Sequence, residues 1–140
     1  MEYRKFDNYY VVRINKGEEI IGQITELCER ENIKTGFATG LGASDRVVIG
    51  LYDTKNKVYK KTELTGPMEI TSLIGNISVK DGKPYLHFHI NVCDETMNVK
   101  GGHLNECYIS ATAEITITVI DGTVEREFEP EIGLNLYKFI

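Results

Sequence analysis

The stretch YISATAEITITVI, residues 108–120, is the longest predicted strand of the chain. Successive side chains of a strand point to opposite faces, so every second residue shares a face. One face here carries Ile109, Ala111, Ala113, Ile115, Ile117 and Val119. The other face carries Tyr108, Ser110, Thr112, Glu114, Thr116 and Thr118. The pattern predicts a long strand with an apolar face, and the small residues 110–113 favour close approach of a second layer, either a helix or a second subunit.

Working outward, most of the remaining chain also reads as strand, much of it with the same period of two. Further strands are predicted at residues 10–14, 34–41, 47–53, 58–64, 69–79, 84–92, 124–128 and 134–139. Asp81-Gly82 predicts a hairpin between two of them, and Asp121-Gly122 predicts a turn from the long strand into 124–128.

One segment, residues 16–31, has the spacing of a helix instead. Its apolar residues fall on a single helical face: Ile20, Ile21, Ile24, Leu27 and Cys28. Asn15 is the expected N-cap, and Glu18 stands three residues later, as in a capping box. The sequence thus predicts an α+β domain over residues 1–140: a mainly antiparallel β-sheet with one principal flanking helix.

Composition excludes several classes of function. The 140 residues carry a net charge of −5 and a pI of about 5.2, which disfavours nonspecific affinity for DNA or anionic membranes. No apolar run approaches the length of a membrane span, and the polar start of the sequence predicts a cytoplasmic protein. Three cysteines, an odd number without zinc-motif spacing, are expected to be free thiols.

All three histidines lie in one window, LHFHINVCDETMNVKGGHL, residues 86–104. His87 and His89 share a strand face, about 6.8 Å apart, opposite the apolar face of Phe88 and Ile90. Gly101-Gly102 permits a sharp bend and a close approach, so a loop that returns over the strand can deliver His103 as a third ligand. Three histidines and an open position describe a catalytic or exchangeable site for a divalent metal such as zinc.

Such a site needs carboxylates or carbonyls to orient the rings. The acidic candidates are Asp94, Glu95, Glu69 and Glu114. Two alternatives stay open. His87 and His89 can equally be solvent-facing strand residues, and Glu69 can be a buried or interface carboxylate rather than a catalytic group.

Three motifs, taken in order, resemble the plant-and-prokaryote conserved (PPC) domain family. They are TGLGA at 39–43 with Tyr52-Asp53 after it, GPMEITSLIGN at 66–76, and LHFH at 86–89 followed by GGHL at 101–104. The resemblance implies an antiparallel sheet with a flanking helix, a homotrimer, and a metal site of His87, His89 and His103 near a subunit boundary. It also implies a fold similar to that of acetolactate decarboxylase, a zinc enzyme with three histidine ligands.

The resemblance also raises DNA binding, because plant members carry an AT-hook and bacterial members are associated with DNA. This chain has no AT-hook segment, and Pro67 stands where the plant pattern has arginine. The leading hypothesis is a metal-binding homotrimer acting on a small molecule, with Glu69 as the catalytic proton carrier. The alternatives are a DNA-binding protein and a trimeric scaffold with a structural metal, and the sequence leaves open whether the protein is an enzyme.

Overall fold

The structure is a computed structural model that describes residues 1–139. These residues form eight strands and one helix. In chain order the elements are β1 (Glu2–Phe6), β2 (Tyr9–Asn15), α1 (Ile20–Arg30), β3 (Gly36–Asp53), β4 (Val58–Lys80), β5 (Lys83–Asp94), β6 (Val99–Val119), β7 (Glu125–Glu129) and β8 (Leu134–Lys138).

The long strands pair around a closed circuit. β3 pairs with β4, β4 with β5, β5 with the first part of β6, and β6 with β3, all antiparallel. β2 and β1 extend the sheet beyond β6, while β7 and β8 extend it beyond β4. The fully buried side chains of these strands, among them Phe88, Ile90 and Ile115, form one core with the apolar face of α1.

The predicted fold class is wrong. The chain is 70% strand and 8% helix, so it is mostly β rather than α+β, and its sheet is mixed because β7 runs parallel to β4. The single amphipathic helix is only 11 residues long, whereas the period-two pattern of the remaining chain forms eight strands.

Two pairs of predicted strands are in fact single strands. β3 joins the segments 34–41 and 47–53, and β4 joins 58–64 and 69–79. The register of this strand pair shifts between Gly40 and Gly42 and between Ser44 and Arg46, and at both places the extra residue lies on β4. A β-bulge disrupts the alternation of side chains while the ladder continues, and this is why the sequence pattern breaks where the strand does not.

The turn at Asp121-Gly122 does not fold β7 back onto β6. At that end of β6, Thr118 already pairs with Tyr9 of β2 on one side and with Phe37 of β3 on the other. With both edges occupied, the chain crosses to β4, where Glu125 pairs with Val79. The hairpin predicted at Asp81-Gly82 is confirmed, since it joins β4 to β5.

The helix starts later than the sequence predicted. Glu19, not Asn15, is the N-cap, and its carboxylate accepts hydrogen bonds from the amides of Ile21 and Gly22. Glu18 does bond back to the Asn15 amide, at 2.7 Å, but this contact shapes the turn that precedes the helix. Among residues 1–139, α1 is the one helix, and its 11 residues fall well short of the roughly 20 apolar residues that span a bilayer. All three cysteines are free thiols, and Cys28 and Cys107 are buried.

Candidate metal centre

Strand β5 presents two histidines on the side opposite the core. Phe88 and Ile90 point inward and are 0% and 1% exposed, so the alternation turns His87 and His89 outward. On the neighbouring strand β4, their partners in the ladder are Asn76 and Ile74. The predicted division of β5 into an apolar face and a histidine face is confirmed.

Strand β6 supplies the third histidine. His103 is the direct cross-strand partner of His89, and on its other side it pairs with Gly50 of β3. It therefore arrives on a neighbouring strand, and not on a loop that folds over β5. Leu104 points into the core, which leaves His103 on the outer face with the other two histidines.

The two glycines before His103 permit close strand contact. A Cβ on Gly102 would lie 2.8 Å from the carbonyl oxygen of Gly50, and one on Gly101 would lie 2.7 Å from the carbonyl oxygen of Ile90. Both residues lie inside β6 and pair in register with β5, so the sequence prediction of a close approach is right and that of a sharp bend is wrong.

The three imidazoles face one another. One ligand nitrogen of each residue can be chosen so that all lie within 4.8 Å of one another. The ring centroids are 5.2 Å apart for His87 and His103, 5.3 Å for His87 and His89, and 5.6 Å for His89 and His103. Nitrogens bound to one tetrahedral zinc at about 2.0–2.1 Å stand about 3.3 Å apart, so modest ring rotations would complete such a site.

Burial and nearby positive charge lower the pKa of two of the three histidines. The pKa of His103 is lowered to about 4, mainly by burial and then by the positive charges of His87 and His89. The pKa of His87 is lowered as well, mainly by burial and then by the positive charges of Arg126 and His89. Because only the unprotonated imidazole nitrogen binds a metal, the low pKa values favour the ligating form at neutral pH.

Two cavities meet at the cluster. One, of about 620 Å³, lies along the outer face of the sheet between Phe37, Ile74 and Asn76. The other, of about 470 Å³, lies between the histidines and the β7–β8 hairpin. His87 and His89 line both cavities, whereas His103 lines only the second. The cluster is thus open to small molecules.

The predicted carboxylates are elsewhere. Asp94 accepts hydrogen bonds from the amides of Thr96 and Asn98 in the turn between β5 and β6. Glu95 lies exposed in the same turn, and Glu114 is exposed on β6, opposite Arg13. None of the three lines either cavity.

Glu69 is also away from the histidines. It is exposed on β4, five positions before Ile74, the partner of His89. At about 3.3 Å per residue, it lies about 16 Å along the strand. Glu69 is not brought to the cluster within one chain, and its role as a proton carrier stays a prediction.

The sequence did not indicate which residues line the other side of the cavity beside the histidines. Tyr59 meets His103 edge-to-face, with ring centroids 6.1 Å apart, and its hydroxyl accepts a hydrogen bond from Asn105 at 2.7 Å. Arg126 and Tyr85 line the same cavity from β7 and β5. The alternation in β7 predicts the face on which Arg126 lies. No local pattern indicates that this face lies opposite the histidines across a cavity.

The family profile described as "Plants and Prokaryotes Conserved (PCC) domain" matches residues 1–121. The chain belongs to this family. The resemblance seen in the PPC motifs is thereby confirmed. No curated protein matches the chain.

Solved structures extend the comparison. A candidate DNA-binding protein from Bacteroides thetaiotaomicron is 31% identical, with 99% of this chain and 96% of that chain covered and a TM-score of 0.96. A metal-containing protein from Archaeoglobus fulgidus is 34% identical, with 99% and 96% covered and a TM-score of 0.86.

The relation to acetolactate decarboxylase is one of fold alone. The enzyme from Bacillus subtilis is 12% identical, with a TM-score of 0.55 over 87% of this chain and 57% of that chain. This likeness confirms the predicted similarity of fold, and it carries no conclusion about reaction because one fold hosts unrelated functions.

Proposed function

We propose that this PPC-domain chain binds a divalent metal ion, zinc, through His87, His89 and His103, and acts on a small molecule in the adjoining cavity. The observation that carries the proposal is the convergence of three imidazole nitrogens within 4.8 Å. The family relative described as metal-containing, at 34% identity, agrees with it.

The donor set fits zinc. Imidazole nitrogen is a preferred zinc ligand, and three protein ligands leave a fourth position for water or a substrate. His87, His89 and His103 all line the cavity of about 470 Å³, so a small molecule in it would have access to a metal held by the three rings. A closed structural site has four protein ligands instead, so the three-histidine set favours an exchangeable site over a purely structural one.

When bound, such a metal would supply Lewis acidity, which polarises a carbonyl or lowers the pKa of water. The chain's own contribution is to hold three imidazoles on two adjacent strands. His89 and His103, as cross-strand partners, fix two ligands relative to each other through the backbone ladder. Two paired strands are more rigid than a loop and hold such a set of ligands in a fixed geometry.

The decisive experiment measures zinc in protein purified without a histidine tag. The wild-type chain should retain about one zinc ion per chain, and His89→Ala should lose it while remaining folded by circular dichroism. Asn91→Ala is a matched control, because Asn91 is the next outward-facing residue of β5. Retention of zinc by His89→Ala, or no zinc uptake by the wild-type chain, would refute the proposal.

We further propose that the chain assembles as a homotrimer through the outer face of the sheet. Several large apolar side chains are exposed there, including Phe37 at 46%, Ile74 at 57% and Val11 at 50%. The ladder connects them to the site, since Ile74 is the partner of His89. Phe37 and Ile74 line the same cavity of about 620 Å³, and exposed apolar surface of this kind marks an interaction site.

Light scattering tests the assembly. Ile74→Lys should reduce the trimer to monomers, because a lysine charge would be buried at the contact. Lys60→Glu, a charge change on the exposed start of β4, is the control. Adding a chelator distinguishes this proposal from a trimeric scaffold with a structural metal. Loss of the trimer on chelation would mean that the metal is structural. An unchanged trimer supports an exchangeable ion.

DNA binding is the second candidate, favoured by the description of the Bacteroides relative. The net charge of −5 opposes it, because DNA affinity rests mainly on cationic contacts with phosphates. An electrophoretic shift of duplex DNA at about 1 µM protein and low salt, falling steeply as salt rises, would establish it. Our proposal predicts no shift.

A further inference from the structure

The wall of the cavity facing the histidines contains a buried arginine. Arg126 of β7 is only 8% exposed. Its Nε–H donates to Ser78 Oγ at 2.7 Å, and its Nη1 donates to the carbonyl oxygen of Asn135 at 2.8 Å. The guanidinium also lies over the rings of Tyr85 and Tyr137, at 4.6 Å and 4.3 Å from their centroids. The group is therefore held in one orientation.

This cation has no anionic partner among residues 1–139. Every ion pair found there involves other basic groups. Buried charges in proteins are normally paired, because an unpaired one loses its hydration without compensation. The tyrosine rings and two neutral acceptors offset part of this cost and leave a net positive charge beside the cavity.

One edge of the guanidinium is unused. Nη2 makes no hydrogen bond to the described residues. It is also not fully buried, since Thr112 Oγ1 is the one fully buried side-chain atom without a partner among these residues. Nη2 is thus partly accessible, and Arg126 lines the cavity of about 470 Å³ that His87, His89 and His103 also line.

We propose that this cavity binds a small monocarboxylic acid, with its carboxylate held by Arg126 and its other end over the histidine cluster. This inference rests on the proposed metal-binding function and names its substrate class. Arginine suits a carboxylate because its planar N–H groups form charge-assisted hydrogen bonds to both oxygens.

The charge of the cavity favours a monocarboxylate over a phosphate. Arg126 is the only arginine or lysine among its described lining residues, and no acidic side chain lines it. Leu51, Leu134 and Leu136 supply apolar walls for a carbon skeleton. A doubly charged phosphate group is typically held by several cationic or backbone donors, which this wall does not offer.

The test is calorimetric titration of the zinc-loaded full chain with lactate and with its neutral amide, lactamide. Lactate should bind at least about tenfold more tightly than lactamide. Arg126→Gln should weaken lactate binding by about tenfold or more and leave lactamide binding unchanged. Arg13→Gln, at an exposed arginine on β2, is the matched control and should match the wild-type chain.

The outcomes separate the two proposals. Zinc content, measured before any carboxylate is added, decides the metal site. Equal affinity of wild-type chain and Arg126→Gln for lactate, with zinc retained, would show that Arg126 only ties β7 to β4. Tighter binding of inorganic phosphate than of lactate would also overturn the inference. If Arg126→Gln does not fold, Arg126→Lys and the wild-type preference for lactate over lactamide decide the question.

Discussion

The two faces of strand β5 have opposite properties although their residues alternate one by one. Phe88 and Ile90, on the inner face, are 0% and 1% exposed and belong to the core. His87 and His89, on the outer face, lie beside two cavities. The alternation of side chains along the strand thus assigns the residues that stabilise the fold to one face and the residues that can bind a ligand to the other. Substitutions on one face should therefore change folding, and those on the other should change ligand binding.

The largest effect is expected from the inner face. Phe88→Ala should destabilise the protein by about 3–5 kcal/mol, because it leaves a cavity under the strand. Denaturant unfolding of metal-free protein measures this difference. His87→Ala, the adjacent outer-face residue, is the control and should change the free energy of unfolding by less than about 1 kcal/mol. Equal losses for the two variants would contradict the division of the strand.

Gly102 lies where β6 contacts β3, next to His103, so a substitution there should change both stability and zinc binding. Gly102→Ala would place a Cβ 2.8 Å from the Gly50 carbonyl oxygen, so β6 must move away from β3. We expect a loss of about 1–3 kcal/mol in stability and about tenfold weaker zinc binding as His103 shifts. Thermal unfolding and zinc titration give the two numbers. Gly22→Ala, where the added Cβ meets only the end of the Glu19 side chain, should leave zinc binding unchanged.

The outer face should also make stability depend on pH in the absence of metal. The pKa of His103 is about 4 in the folded chain, below the ordinary value of 6.5. The unfolded chain thus binds more protons between these values, so stability falls as pH drops from 6.5 to 4. The His103 contribution is about 1–2 kcal/mol after solvent screening of a half-exposed ring.

His103→Asn removes this group and should flatten the dependence in that window. Unfolding free energies of the two proteins at pH 7, 6, 5 and 4, with a chelator present, test the point. Parallel curves for wild-type chain and His103→Asn would show that His103 titrates normally in the folded protein.

The smallest effect is expected where neither core nor cluster is touched. Arg46 bridges Glu63 and Glu106 at 3.0 Å and 2.9 Å on the exposed surface of the sheet. Glu63→Gln should cost less than about 1 kcal/mol, and the difference should shrink further in high salt. Urea unfolding at two salt concentrations measures it, and a loss above 2 kcal/mol would show that surface pairs stabilise this fold as strongly as its core.

The parts of the site that follow from local pattern could be predicted from the sequence. The alternation of 84–92 set the faces of His87 and His89, and the glycine pair indicated the close approach that brings in His103. Both properties depend on a few neighbouring residues. For the same reason the hairpin at Asp81-Gly82 was predictable.

The parts that depend on long-range pairing could not be predicted. Arg126 reaches the histidines only because both edges of β6 are occupied at Thr118 and the chain must cross to β4. The strands β3 and β4 read as broken because bulges disrupt alternation without ending the ladder. The prediction of the fold class was wrong because an amphipathic helix is conspicuous in the sequence pattern, although its 11 residues are a small part of the architecture.

Anomalous diffraction from crystals grown with zinc tests the central claim most directly. The account predicts one anomalous peak at the zinc edge for each chain, about 2.0–2.1 Å from a nitrogen of each of His87, His89 and His103. A zinc-free cluster under saturating metal, or a peak that lacks any one of the three histidines as a ligand, would contradict it.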